Sequence, residues 1–223
     1  MKLALSVFLS ILISLNALAT IQTPETIIYQ GEAYSLSSFP LDDYFKAYPE
    51  KKPSPDQISS DLWRGYRTTF EIQDNRLIIR EIQVRERIKR KNLKDTTVWT
   101  SVIDTIFRTP ADRVFTWYSG YLIVQIGRIV KRVHMENSPR YENYLVIGVD
   151  KGIVFYERRL NTKQFSAFMD DQYKGFKKTE EYKQLKKKLK DLNKSRKTPL
   201  SSKQLEVSLR SRVEYKASTI FNR

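Results

Sequence analysis

The chain has 223 residues, of which 40% are apolar and 12% aromatic, so it has the composition of one folded domain with an appendage, or of two small domains. It has no cysteine and one histidine, His134, which excludes disulfides, thiolate metal sites, cysteine nucleophiles and any multi-histidine metal site built from one chain. The formal net charge is +15, and with only 7 glycines to form a nucleotide-binding loop we expect no metal and no cofactor.

The first nineteen residues have the features of a secretory signal peptide. Lys2 is a short positive segment, residues 3–15 are apolar apart from serines, and Ala17 and Ala19 are the small residues that signal peptidase requires. We predict cleavage after Ala19 and a mature protein in a periplasm or outside the cell. The apolar segment is shorter than the roughly 20 residues that span a bilayer, so we expect no membrane span after cleavage.

The mature chain begins with a predicted strand and a predicted short helix. Residues Glu25–Tyr29 are β-branched and aromatic, and a turn follows at Gln30–Glu32. Residues Phe39–Lys46 have a proline near the start and two acids in the first turn, which is typical of a helix N-terminus.

A β-hairpin is predicted around Asp74–Asn75, two residues that tolerate the left-handed conformation of a tight turn. Pairing across this turn sets Ile72 against Leu77 and Phe70 against Ile79. All four side chains then share one face, which we expect to belong to the core.

An amphipathic helix and a dense group of strands are predicted next. Apolar residues recur at helical spacing from Asp95, the predicted cap, to Phe107. Further on, short connections separate strand candidates, which is typical of antiparallel neighbours. These candidates are residues 114–118, 121–126, 128–135, 144–149 and 153–158.

These elements together predict an α+β fold. Residues 20–160 are expected to form an antiparallel, twisted or partly closed sheet of about seven strands with one packed helix. Residues 161–223 are expected to form a basic helical extension. The charge distribution agrees with this division, because residues 20–160 carry 22 Lys and Arg against 18 Asp and Glu, whereas residues 161–223 carry 17 against 7.

The extension is predicted to contain three helices. The first carries Phe165 on its apolar face and ends near Gly175, the second begins at Glu180, and the third opens with a capping box formed by Ser201 and Gln204. Lysines surround a narrow apolar seam on the second helix: Lys183, Lys186, Lys187, Lys188 and Lys190. Such a surface attracts an acidic protein or an anionic envelope component, and nucleic acid ranks below both for an exported protein. A solvated face that keeps the protein soluble is the alternative interpretation.

An aromatic and basic cluster forms a second candidate binding site. Trp63, Arg64 and Tyr66 are residue types of interface hot spots and of stacking sites. In a regular strand Trp63 faces opposite to the other two, so we favour packing of Trp63 in the core with Arg64 in a local ion pair.

A catalytic alternative depends on His134, a histidine in a predicted strand. A general base needs a nucleophile or a water molecule within reach and an orienting carboxylate, for which Glu142 is the candidate. We favour a half-buried structural histidine over this role.

Several short motifs resemble a family of uncharacterised exported bacterial proteins. In chain order they are Ile28-Tyr29-x-Gly31, Phe39-Pro40-Leu41, Trp63-Arg64-Gly65-Tyr66 with Phe70-Glu71-Ile72, Trp117-Tyr118-Ser119-Gly120, Val133-His134-Met135 and Tyr141-Glu142. The resemblance covers about residues 24–160 and implies one β-rich unit with an added tail, but no activity.

Two function hypotheses follow. The favoured one is an exported, non-enzymatic binding protein that recognises another protein or an anionic envelope component, an immunity-type inhibitor of a toxin being one concrete version by analogy. The alternative is a small periplasmic hydrolase that uses His134 with a carboxylate such as Glu142.

Overall fold

The structure, a computed structural model, describes residues 23–36, 38–54, 59–88, 96–131 and 139–215. Within these ranges the fold is α+β, with one mixed sheet of eight strands and five α-helices. The strands are β1 (Glu25–Tyr29), β2 (Glu32–Leu36), β3 (Tyr66–Gln73), β4 (Arg76–Ile88), β5 (Thr96–Ser101), β6 (Gly120–Lys131), β7 (Arg140–Asp150) and β8 (Ile153–Asn161). The helices are α1 (Leu41–Ala47), α2 (Ile103–Ile106), α3 (Thr162–Phe176), α4 (Glu180–Lys194) and α5 (Ser202–Tyr215).

Seven of the strands form a closed ring. The strand order is β3–β1–β2–β6–β7–β8–β4–β5, and β3 also pairs with β4, so β5 is an addition to the ring. In the described residues, β2 joins β6 through the pair Leu36 and Val124, and β4 joins β8 through Arg76 and Ile153.

The pairing of β1 with β3 is parallel, whereas the other strand pairs are antiparallel. The prediction of a purely antiparallel sheet of about seven strands was therefore wrong in both respects. β2 and α1 lie between β1 and β3 in the chain and supply the length that a parallel crossover needs.

The predicted hairpin is confirmed. Asp74–Asn75 form its turn with φ angles of 49° and 62°, and the strands pair Ile72 with Leu77 and Phe70 with Ile79. Three of these four side chains are at most 1% exposed, and Ile72 packs against the same cluster.

The helix predicted over Asp95–Phe107 was wrong. Residues Thr96–Ser101 form β5 on the edge of β4, and only α2 is helical. The apolar spacing that indicated one helix combined side chains of a strand and of a single helical turn. A run of threonine, valine and tryptophan fits a strand because β-branched and aromatic residues pack well on a pleated surface. Asp95, the predicted cap, lies outside the described residues.

Two further strand predictions also differ from the structure. Residues 114–118 form no strand: Val114 makes an isolated bridge with Ile78, and a turn follows in which the Thr116 N–H donates to the Val114 carbonyl at 2.8 Å. The strands predicted before and after Gly127 are one strand, β6, which bulges at Gly127 with a φ of 82° and resumes its pairing with β7. The end of the second predicted strand, residues 132–135, lies outside the described part of the chain.

Two apolar clusters stabilise the fold. One fills the ring, and the other lies between the outer face of β6–β8 and helices α3–α5. Side chains alternate between them: Leu122 and Val124 point into the ring, whereas Tyr121 and Ile123 meet the helices. Burial on both faces explains why β6 and β7 have nearly continuous apolar sequences.

The three predicted C-terminal helices are present: α3 lies on β7 and β8, α5 packs against α3, and α4 packs against α5. Phe165 of α3 stacks on Tyr144 of β7 with ring centroids 3.7 Å apart and an interplanar angle of 11°. The predicted capping box opens α5, where the Gln204 N–H donates to the Ser201 hydroxyl at 3.3 Å and the Ser201 N–H donates to the Gln204 side chain at 2.8 Å.

Candidate binding surface

Helix α4 presents the predicted lysines from a fixed position. Thr179 caps the helix by accepting the Tyr182 N–H at 3.1 Å. Tyr182 is buried edge-to-face against Phe176 at a centroid distance of 5.5 Å, and Leu185 and Leu189 pack against the same cluster. One side of α4 is therefore held by the protein, which leaves the other side to solvent.

The exposed side of α4 carries a row of lysines. Lys183, Lys187, Lys190 and Lys194 are spaced by four, three and four residues, and all are exposed. At about 100° per residue they fall within about 60° of one another, along roughly 16 Å of the helix. We call these four residues the lysine row.

Lys186 and Lys188, which were also predicted for this site, lie outside the lysine row. Lys186 flanks it, with its ammonium 5.4 Å from the centre of the Tyr182 ring. Lys188 lies on the other flank, roughly 100° from the nearest lysine of the row. Four of the five predicted lysines, Lys183, Lys186, Lys187 and Lys190, thus lie close together on one side of α4, and Lys188 is separate. Lys194, which was not predicted, extends this group by one turn. The sequence does contain a signal for Lys194, because it follows Lys190 by four residues, about one helical turn.

Ion pairing is unequal along the lysine row. Lys183 contacts Glu180 at 3.1 Å and Lys194 contacts Asp191 at 3.2 Å, both within one helical turn. Across the described parts of the chain, Lys187 and Lys190 form no ion pair. The middle of the row therefore offers two ammonium groups that can contact an external anion without breaking an internal interaction.

The cluster at residues 63–66 is divided between surface and core. The strand begins at Tyr66 and not at Trp63, because Gly65 has a φ of 83° and its N–H donates to the Leu62 carbonyl in a turn at 2.9 Å. Trp63 is 56% exposed, so the prediction that it packs in the core was wrong. Arg64 and Tyr66 are 2% and 1% exposed, which leaves Trp63 as the member that an external partner can reach.

Arg64 takes part in an ion pair, but the pair is not local as predicted, because its partner Glu25 lies far away in the sequence, in strand β1. Its guanidinium lies 3.4 Å from the Glu25 carboxylate, and its Nη2 donates to the Thr23 carbonyl at 2.8 Å. The guanidinium also covers the Phe39 ring at 3.7 Å. Burial raises the pKa of the Glu25 carboxyl to about 7, and the attraction of Arg64 offsets part of that rise. No sequence pattern joins these residues, because they meet through the pairing of β1 with β3.

Of the two catalytic candidates, only Glu142 lies in the part of the chain that the structure describes. His134 lies outside the described residues. The Glu142 carboxylate accepts the Arg128 backbone N–H at 3.1 Å and contacts the Arg128 guanidinium at 3.1 Å. These contacts with Arg128 lower the pKa of Glu142, the backbone N–H first, so this carboxylate is an ionised partner of an arginine.

The described residues contain no cluster of three or more histidine, aspartate or glutamate residues placed to hold a metal ion. Among the helices of the described ranges, none is both long enough and apolar enough to cross a membrane. Comparison with protein-family models, with curated proteins and with solved structures finds no match for this chain.

Proposed function

We propose that the mature chain is an exported, non-enzymatic binding protein whose lysine row recognises an anionic partner. The observation that supports it best is the pair of unpaired ammonium groups at Lys187 and Lys190, displayed on a helix whose opposite side is anchored in the core. The export part of the proposal depends on the sequence of the first nineteen residues, which lie outside the described structure.

The charge of the helical part supports attraction over a distance. Residues 161–223 carry a net formal charge of +10, from 17 basic against 7 acidic residues. At physiological ionic strength a field of this sign extends about 8 Å from the surface. It accelerates the encounter with an anionic partner, and each lysine close to an anionic lipid surface contributes about 1 kcal/mol.

The anchored face of α4 limits how the partner is bound. Tyr182, Leu185 and Leu189 contact the protein's own core, so they are not available to insert into a partner. The contact made by α4 is therefore electrostatic and peripheral, through lysine side chains that remain hydrated at their ends. Two partner classes fit this contact: an acidic protein surface and an anionic envelope surface.

A binding measurement with two probes tests the proposal and separates the two partner classes. The mature chain is compared with its K186Q/K187Q/K188Q/K190Q variant on phosphatidylglycerol-containing vesicles and on poly-L-glutamate, with phosphatidylcholine vesicles as the neutral control. We expect the wild-type chain to bind an anionic probe and the variant to bind it at least tenfold more weakly, because four cations are removed while exposed charges contribute little to folding.

The probe that binds identifies the partner class. Retention on vesicles alone favours an envelope surface, and retention on polyglutamate alone favours an acidic protein. Equal binding by the wild-type chain and the variant, or no binding to either probe at low salt, would show that the lysines only keep the protein soluble.

A further inference from the structure

A pocket of about 570 Å³ opens beside β4, and it includes none of the lysine-row residues. Strand β4, the hairpin turn before it and the segment before Val114 line this pocket. Its lining includes Asp74, Arg76, Ile78, Arg80, Pro110, Arg113 and Val114. The volume lies in the range of sites for small organic ligands.

Strand alternation puts two arginines and one isoleucine in a line at this pocket. Arg76, Ile78 and Arg80 alternate along β4 with Leu77 and Ile79, which belong to the cluster inside the ring. Neighbours on one strand face are about 7 Å apart, so the Arg76 and Arg80 side chains leave the strand on either side of Ile78.

A long-range contact adds the third arginine. Val114 forms an isolated β-bridge with Ile78, which brings the preceding residue, Arg113, to the same pocket. Three arginines, Arg76, Arg80 and Arg113, therefore line the same pocket as the apolar residues Ile78, Val114 and Pro110.

These arginines retain hydrogen-bond donors that the protein does not use. Arg76 is exposed and forms no ion pair with any residue that the structure describes. The Nε of Arg113 is buried without a hydrogen-bond partner, although its Nη2 contacts Asp104. Arg80 contacts Glu71 at 2.9 Å. The two ion pairs hold Arg113 and Arg80 in place, and a buried donor without a partner is costly unless a ligand or water satisfies it.

We propose that this pocket binds a small amphipathic anion. Its carboxylate or phosphate group lies between Arg76 and Arg113, and its apolar part lies on Ile78 and Val114. Guanidinium groups suit this head group because their planar N–H donors match two oxygens at once. Since Glu71, Asp104 and Asp74 balance the three arginines in charge, recognition depends on these directed donors and not on an excess of positive charge.

Titration of the full mature chain with four probes tests the proposal. The probes are phenyl phosphate, inorganic phosphate, benzoate and the neutral analogue benzyl alcohol. We expect phenyl phosphate or benzoate to bind, and inorganic phosphate and benzyl alcohol to bind at least tenfold more weakly, because each lacks half of the complementary chemistry. The stronger of the two anions identifies the head group.

Arg76→Gln is the main variant, since Arg76 is exposed and its replacement leaves no internal partner unpaired. We expect it to weaken binding of the stronger probe about tenfold, and Arg76→Lys to restore less than the full affinity because the forked donor is lost. Arg113→Lys gives a second variant that retains the charge toward Asp104, and we expect the same direction of change.

Arg128→Gln is the control, because it removes an arginine from a surface ion pair that does not line the pocket. Binding that Arg76→Gln and Arg113→Lys leave unchanged, equal binding of benzyl alcohol, or no binding of either amphipathic anion at millimolar concentration would each overturn the proposal. Since these variants leave the lysine row intact, failure here is distinct from failure of the proposed function.

Discussion

The Arg64 guanidinium lies 3.4 Å from the Glu25 carboxylate, and both side chains are 1% exposed. Glu25 opens β1 and also accepts the backbone N–H of Thr68 in β3, while Arg64 donates to the carbonyl of Thr23. The pair therefore connects the first residues of β1 to the turn that leads into β3, at the parallel joint of the ring. Arg64 still has two buried nitrogens without partners, Nε and Nη1.

Replacing only one member of the Arg64–Glu25 pair is expected to lower the free energy of unfolding by far more than the intact pair adds to it. Arg64→Met removes the cation that offsets the burial of the Glu25 carboxylate, so at a pH above 7, where the wild-type group is ionised, we expect a loss of about 3 to 5 kcal/mol in the free energy of unfolding, measured with urea. Adding Glu25→Gln removes the remaining charge and keeps an acceptor for Thr68, so it should recover much of the loss. Arg128→Met, in an exposed pair, should cost about 1 kcal/mol or less. Equal losses for Arg64→Met and Arg128→Met would contradict this account.

Glu25 should also make stability depend on pH. Its pKa is raised from 4.5 to about 7 in the folded chain, so between these values the folded state binds more protons than the unfolded state. Below pH 4.5 this group therefore contributes its full stabilisation, about 3 kcal/mol in the free energy of unfolding. This contribution falls as the pH rises and is lost above pH 7. Urea unfolding at several pH values should show this decline in the wild-type chain and a flatter profile in Glu25→Gln. Parallel profiles for the two proteins would contradict the raised pKa.

Two hairpin glycines with the same backbone conformation should respond differently to alanine. Gly31 has a φ of 82° and open space around its α-carbon, whereas Gly152 has a φ of 79° and a Cβ there would lie 2.7 Å from the Phe115 carbonyl oxygen. Alanine at Gly31 meets only the left-handed conformation, at a cost of about 1 kcal/mol. Alanine at Gly152 adds a backbone clash, so we expect it to lower the melting temperature clearly more. Equal shifts in the two variants would show that the turn at Gly152 relaxes freely.

The contact between Phe165 and Tyr144 should make α3 essential to the stability of the sheet. Phe165→Ala removes a ring that is 4% exposed, for an expected loss of about 3 to 5 kcal/mol in the free energy of unfolding. Leu192→Ala, at a position on α4 that is 55% exposed, is the control and should cost less than about 0.5 kcal/mol. A chain that ends at Leu160 should aggregate, because it exposes the outer apolar face of β6 and β7. Normal solubility of that chain would argue that the helices only decorate the sheet.

Sequence reasoning succeeded where local chemistry decides the structure. The hairpin at Asp74–Asn75 combines turn residues with alternating apolar side chains, and the capping box of α5 depends on two residues three positions apart. Both signals lie within a few residues of the element that they specify.

The failures lie where distant segments meet or where two short elements are adjacent. Nothing near β1 indicates a parallel partner, and the spacing of apolar residues across β5 and α2 resembled one helix because a strand and a turn were read together. The burial of Arg64 depends on the turn at Gly65 and on Glu25, and the arginines of the β4 pocket meet only through the bridge from Ile78 to Val114. Three residues of the lysine row, Lys183, Lys187 and Lys190, were among the predicted lysines, because helical periodicity is local. The sequence reading did not include Lys194 and did not separate Lys188 from the others, and the binding role of these lysines stays a prediction.

Salt dependence of binding is the most direct test of the lysine row. The comparison uses two variants that each remove two positive charges: K187Q/K190Q, in the middle of the row, and K188Q/K203Q, outside it. With the anionic probe that the wild-type chain binds, we expect K187Q/K190Q to reduce the slope of log affinity against log salt by roughly two, about one for each cation removed from contact. K188Q/K203Q should keep the wild-type slope. Equal slopes for both variants would show that binding responds to total charge and not to the lysine row.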